Sequence, residues 1–206
     1  MTKIKICGLS RVADIHAVNR WRPDYAGFVF APSKRRVTIR EAEELSRMLH
    51  PAVCPVGVFV NAGSDDIIAA VAAGIIRAVQ LHGQESLEQV QALRKQLPET
   101  VPIIKAVGME PGREQELAGW QQSSAEYLLL DAPKAGSGAV FDHSLIEKCK
   151  ILDKPWFLAG GLRGDNVIPL IRSFAPYGID VSSGVETGGC KDPEKIELII
   201  RRVRNE

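Results

Sequence analysis

The sequence has no CxxC pair, no HExxH and no Walker A motif, and each absence removes a class of chemistry. Its four cysteines, Cys7, Cys54, Cys149 and Cys190, lie far apart, which argues against a zinc site or a dithiol redox centre. A dinucleotide fingerprint is missing as well. The GSG of Gly136 to Gly138 lacks a third glycine and does not stand at a first strand-to-helix turn. Nucleotides are therefore not expected. Charge of one sign is also lacking: 26 basic and 25 acidic residues leave +1, so no electrostatic term favours nucleic acid or an anionic membrane. No run approaches the roughly 18 apolar residues of a membrane span, and Met1 leads into KIKIC without an apolar signal segment. A reducing cytoplasm is the expected compartment, and the sequence assigns no oligomeric state.

What the chain does have is alternation of short β-rich runs with helix-length amphipathic segments. Strands are expected at Lys3 to Cys7, Asp24 to Phe30, Cys54 to Val60, Ala78 to His82, Val101 to Val107, Glu126 to Asp131, within FLAGGL (Phe157 to Leu162) and at the start of GIDVSSGVE (Gly178 to Glu186). Helix starts are marked by Ser10, by Thr38 with Glu41, by Ser64, by Ser86 with Gln89, and by Asp192-Pro193. Further helices are expected near Arg113 to Gln122, His143 to Cys149 and Asp165 to Ser173. Eight strand–helix units at a period of about 25 residues are near the minimum for a parallel crossover. The strands are apolar throughout, as strands buried on both faces are. No linker divides the chain, so a single (β/α)₈ barrel domain over residues 1–206 is expected, lean beside the usual size of about 250 residues. An open doubly wound sheet is the rival architecture.

Closure is favoured by the last two runs. Each stops abruptly at small residues, Ala159-Gly160-Gly161 in one and Ser182-Ser183-Gly184 in the other. Glycines let backbone N–H groups approach an anion and serines add hydroxyl donors, so the pair of ends reads as a phosphate cup built from Gly160, Gly161, Ser182, Ser183 and Gly184. In barrels of this class the phosphate site lies after strands 7 and 8. A phosphorylated small molecule is the implied ligand.

Chemistry is then sought where the other strands end. Strand 1 ends in Cys7, with Gly8 expected to leave the thiol uncrowded; a thiolate of lowered pKa is a competent base. Strand 6 ends in Asp131 after three leucines, an apolar setting expected to desolvate the carboxyl group and let it serve as an acid. Gln80 and His82 alternate onto one side at the end of strand 4. Among Ser33, Lys34, Arg35 and Arg36, an arginine can clamp a carboxylate bidentately. Asp180, inside strand 8, can orient its neighbours. The glycine-containing loop after strand 6 reads as a lid that excludes water.

Taken in order, KICG (Lys5 to Gly8), GFVF with SKR (Gly27 to Phe30, Ser33 to Arg35), GVFVN (Gly57 to Asn61), VQLHG (Val79 to Gly83), IKAV (Ile104 to Val107), LLLD (Leu128 to Asp131), AGGL (Ala159 to Leu162) and DVSSGVE (Asp180 to Glu186) resemble the phosphoribosylanthranilate isomerase family almost end to end. The resemblance implies an Amadori rearrangement of N-(5-phosphoribosyl)anthranilate without metal or organic cofactor. It assigns Asp131 as general acid, Cys7 as general base and Arg35 to the anthranilate carboxylate. Two departures fall in the strand 6 loop, AGSG in place of consecutive glycines and His143 where tryptophan is common. A histidine-pathway phosphosugar isomerase would call for two aspartates rather than Cys7. A non-catalytic phosphosugar-binding barrel would need neither Cys7 nor Asp131.

Overall fold

Eight parallel strands close into a barrel in the computed structural model, which describes residues 1–109, 114–131 and 152–206. They are β1 (Lys3–Cys7), β2 (Tyr25–Val29), β3 (Cys54–Phe59), β4 (Ala78–Leu81), β5 (Ile103–Gly108), β6 (Tyr127–Asp131), β7 (Trp156–Ala159) and β8 (Gly178–Val181). Each pairs with its neighbour in sequence, and β1 pairs with β8 in the register Lys3 with Gly178 to Ile6 with Val181, closing the ring. The expected strand positions stand to within two residues, and the open-sheet alternative is excluded.

The helices among the described residues are α1 (Val12–Trp21), α2 (Ile39–Arg47), α3 (Ser64–Ala72), α4 (Leu87–Arg94), α5 (Glu114–Gln121), α6 (Val167–Phe174) and α7 (Pro193–Arg204). Three starts follow the chemistry read from sequence. The Thr38 and Ser86 hydroxyls accept from the N–H groups of Glu41 and Gln89, whose side chains return the bond, and Asp192 caps α7. The first helix differs. Ser10 is not its cap, because the buried Asp14 carboxylate accepts from the N–H groups of Ser10 at 3.0 Å and Arg11 at 3.1 Å, and the helix opens at Val12. The helix expected at His143 to Cys149 and the lid after strand 6 lie outside the described residues.

Alternation along each strand divides the interior in two. Ile4, Ile6, Phe28, Val79, Leu81, Leu128, Leu130, Ile179 and Val181 join the helix residues in the larger core. Val56, Ala78, Ile104, Ala106, Leu129, Phe157 and Ala159 fill the barrel itself, with Tyr25, Tyr127 and Tyr177 around Phe157 at its amino-terminal end. Phe157 is fully buried there, and truncating such a ring to Ala costs about 3–5 kcal/mol. The carboxyl-terminal end carries polar side chains instead, and a feature absent from the expectations follows β8: one 3₁₀ turn (Ser183–Val185), then a two-stranded ribbon of β9 (Glu186–Thr187) and β10 (Cys190–Lys191).

Candidate active site

At the carboxyl ends of the strands a cavity of about 320 Å³ is lined by every residue singled out as a site candidate: Cys7, Arg35, Gln80, His82, Asp131, Gly160, Gly161, Asp180, Ser182, Ser183 and Gly184. Period-two alternation explains the convergence, since Cys7, Gln80, Asp131 and Asp180 take the inward phase of their strands.

On the β1 side the Cys7 thiol is nearly buried, at 7 % exposure. Contrary to the expectation from sequence, Gly8 does not provide its space. A Cβ on Gly8 would meet the Arg35 side chain, whereas one on Gly27 of β2 would lie 2.8 Å from the Cys7 sulfur and 3.2 Å from Lys5 Nζ. Gly27 is thus the residue that makes room for the thiol, and Gly8, at φ +82°, makes room for Arg35. Nor is the thiol pKa lowered. Burial pushes it up, against the pull of Lys5 and, more weakly, Lys191.

Lys5 is fully buried and pairs with Asp180 at 2.9 Å. Burial works against its charge, yet Asp180 and then Cys7 hold its pKa above the usual value. Arg35 already has a carboxylate. Its Nε and Nη2 donate to the two oxygens of Glu186 at 2.6 and 2.8 Å. Lys191 donates to Glu186 at 2.7 Å and to the Ser182 carbonyl at 2.9 Å, while the Ser182 hydroxyl donates to the Cys7 carbonyl at 3.1 Å. Three cations, Lys5, Arg35 and Lys191, therefore face two carboxylates, Asp180 and Glu186, beside the phosphate candidates. The excess positive charge suits an anionic ligand.

Across the cavity, Gln80 Nε2 and His82 Nδ1 are hydrogen-bonded at 2.9 Å, and His82 Nε2 lies 3.4 Å from Asp131 Oδ2. The Asp131 side chain is 40 % exposed. The three leucines before it do not desolvate it, because Leu128 and Leu130 face the helices and only Leu129 shares its side of β6. Among the phosphate candidates, Gly160 and Gly161 adopt φ +94° and +60°, and Asn166 Nδ2 donates to the Gly161 carbonyl at 3.0 Å. Gly184 is obligatory for a different reason: any Cβ there would run into the Leu162 carbonyl oxygen.

Residues 4–202 match the family model described as N-(5'phosphoribosyl)anthranilate (PRA) isomerase. The chain belongs to the phosphoribosylanthranilate isomerase family. It is 45 % identical to an N-(5'-phosphoribosyl)anthranilate isomerase from Streptococcus mutans serotype c, over 99 % of this chain and all of that one. Among solved structures, the phosphoribosylanthranilate isomerase of Thermotoga maritima superposes with a TM-score of 0.88 at 35 % identity over both whole chains. Another, in complex with reduced 1-(o-carboxyphenylamino)-1-deoxyribulose 5-phosphate, gives a TM-score of 0.86 at 34 % identity, again over both whole chains.

Within this isomerase barrel three charged groups went unassigned in the sequence reading: Lys5, Glu186 and Lys191. Lys5 had a legible signal, since KIKIC places it two residues before Cys7 and so on the same face. Glu186 appeared only as the last residue of DVSSGVE and Lys191 had no signal, because the ribbon that brings them back over β8 turns at two glycines, Gly188 and Gly189, at φ +59° and +80°.

Proposed function

We propose that residues 1–206 act as one unit that converts N-(5'-phosphoribosyl)anthranilate to 1-(2-carboxyphenylamino)-1-deoxyribulose 5-phosphate. One observation carries the proposal: Cys7 and Asp131, from strands three apart around the ring, line the same cavity as the glycine and serine cup. Asp131, in its acid form, protonates the furanose ring oxygen; the C1'–O bond breaks, and the anthranilate nitrogen lone pair forms an iminium ion. Cys7 as thiolate removes the C2' proton, and that electron pair moves to form the C1'–C2' double bond while the iminium π electrons return to nitrogen. The enolamine then moves its hydroxyl proton away and gains one at C1', leaving the ketone. Protons and electron pairs balance within one molecule, so the chemistry calls for no metal and no organic cofactor.

The remaining residues bind. Gly160, Gly161, Ser182, Ser183 and Gly184 hold the phosphate. Arg35, anchored by Glu186, offers its other N–H groups to the anthranilate carboxylate, and His82 Nε2 orients Asp131. The buried Gln80 Oε1, which has no hydrogen-bond partner among the described residues, accepts from a sugar hydroxyl. A biosynthetic reaction on a phosphorylated metabolite fits a cytoplasmic enzyme. Among the described residues no helix is long and apolar enough to cross a membrane.

The test is turnover of substrate formed in situ from anthranilate and phosphoribosyl pyrophosphate, followed by loss of its fluorescence. Cys7→Ala and Asp131→Asn should each lower kcat by about 10²- to 10⁴-fold with KM little changed, because both act on the transition state. A loss confined to KM in either variant would refute its assigned role.

A further inference from the structure

The side chain under Cys7 is unusual in a way that packing does not explain. Lys5 sits in the barrel with no exposed surface and one carboxylate partner, Asp180. Replacing a buried ion pair by apolar side chains is often neutral or stabilising, so stability alone gives no reason to keep a charge here. Its position does give one. Lys5 Nζ and Cys7 Sγ converge on the same point against Gly27, where only a hydrogen fits. An ammonium has three donors, and the bond to Asp180 Oδ1 uses one of them.

We propose that Lys5 is a positioning residue for the isomerisation, its ammonium acting as the counter-ion that stabilises Cys7 as a thiolate while Asp180 holds that ammonium in place. The inference rests on the reading of Cys7 as the base. Among the described residues, every other charge near the thiol is accounted for. Lys191 and Arg35 approach from β10 and from the loop after β2, but both are committed to Glu186. Gly27 presents no charge from β2, and from β8 the only ionised neighbour is Asp180. Across the cavity His82 and Asp131 face each other. Lys5 therefore favours the thiolate and Asp180 opposes it, which gives the two side chains opposite signatures in one titration.

Two readouts measure that titration: the acid limb of kcat/KM against pH, and thiolate ultraviolet absorbance as the difference from Cys7→Ser in the same background. Lys5→Met should move both upward by about one pH unit or more, leaving at least about tenfold less thiolate at a given pH below the limb. Asp180→Asn should move both downward. Lys5→Met leaves Asp180 unpaired and is at risk of not folding, so the Lys5→Met/Asp180→Asn double variant, which removes both charges, is measured as well. Its titration should fall between those of the two single variants. A loss of turnover in Lys5→Met with neither titration moved, or shifts of the same sign in the two single variants, would overturn the proposal. The absorbance titration needs no turnover, so it separates this failure from that of the base assignment, which Cys7→Ala decides.

Discussion

At the scale of single residues, a glycine of the proposed anion cup allows charge to be tested apart from backbone conformation. Gly161 is at φ +60°, a left-handed conformation that Asn and Asp tolerate better than other L-residues. Gly161→Asp and Gly161→Asn therefore carry a similar backbone cost and differ by one negative charge against the proposed phosphate site. Gly161→Asp should raise KM, and Ki for a phosphorylated product analogue, at least about tenfold more than Gly161→Asn, which corresponds to at least about 1.4 kcal/mol. Equal effects of the two would remove Gly161 from the phosphate site. Gly184 allows no such test, since its place against the Leu162 carbonyl makes every substitution a backbone clash.

At the scale of elements, α7 and the ribbon before it share one residue. Asp192 Oδ1 accepts from the N–H groups of Glu194 at 2.9 Å and Lys195 at 3.3 Å, and Oδ2 accepts from the Thr187 hydroxyl at 2.6 Å. Asp192→Ala should cost about 1–2 kcal/mol in urea unfolding at neutral pH, the usual range for a lost N-cap. The Thr187 bond, then the cap bonds, hold the Asp192 pKa below its ordinary value. Its contribution is therefore present above about pH 3.9 and lost as pH falls further, so the variant and the parent should converge in acid. This cap was legible because Asp-Pro before an amphipathic run has one common reading, and the Thr38 and Ser86 boxes were legible for similar reasons. Ser10 misled because a later acidic residue, Asp14, took the same N–H groups. The strand ends were readable because Asp131 closes an apolar run and Cys7 closes the alternating KIKIC, and alternation then fixes the face. The charge network behind them was not. Glu186 meets Arg35 across 151 positions of sequence, and only the folded ribbon makes them neighbours.

At the scale of the whole molecule, buried carboxylates and buried thiols and phenols carry opposite titration risks, which together set the pH range of stability. On the acid side, burial works against ionisation of Glu85 and Glu186. Lys105 and the Asn61 N–H overcome it for the first, Arg35 and Lys191 for the second, and both pKa values end below the usual carboxylate range. Depressed carboxylates contribute stability above their unfolded value of about 4.3 and lose it as pH falls through the folded one. On the alkaline side, burial raises the Cys7 and Cys54 thiols. At the amino-terminal end burial, then hydrogen bonds to Tyr177, pushes Tyr127 up to about 12 and Tyr25 further. Raised groups keep their stabilising proton below the unfolded pKa, about 8.5 for the thiols and about 10 for the phenols, and that contribution is lost as pH rises through the folded values. The urea midpoint should therefore be flat from about pH 5 to about 8 and decline on both sides, with a steeper alkaline slope above about pH 10. Tyr25→Phe removes one of these phenols while keeping its ring against Phe157, so it should reduce the slope between about pH 10 and 11 and leave the acid flank unchanged. An alkaline slope in Tyr25→Phe equal to that of the parent would mean that the amino-terminal tyrosines do not limit the fold at high pH, and the decline would then belong to the thiols of Cys7 and Cys54.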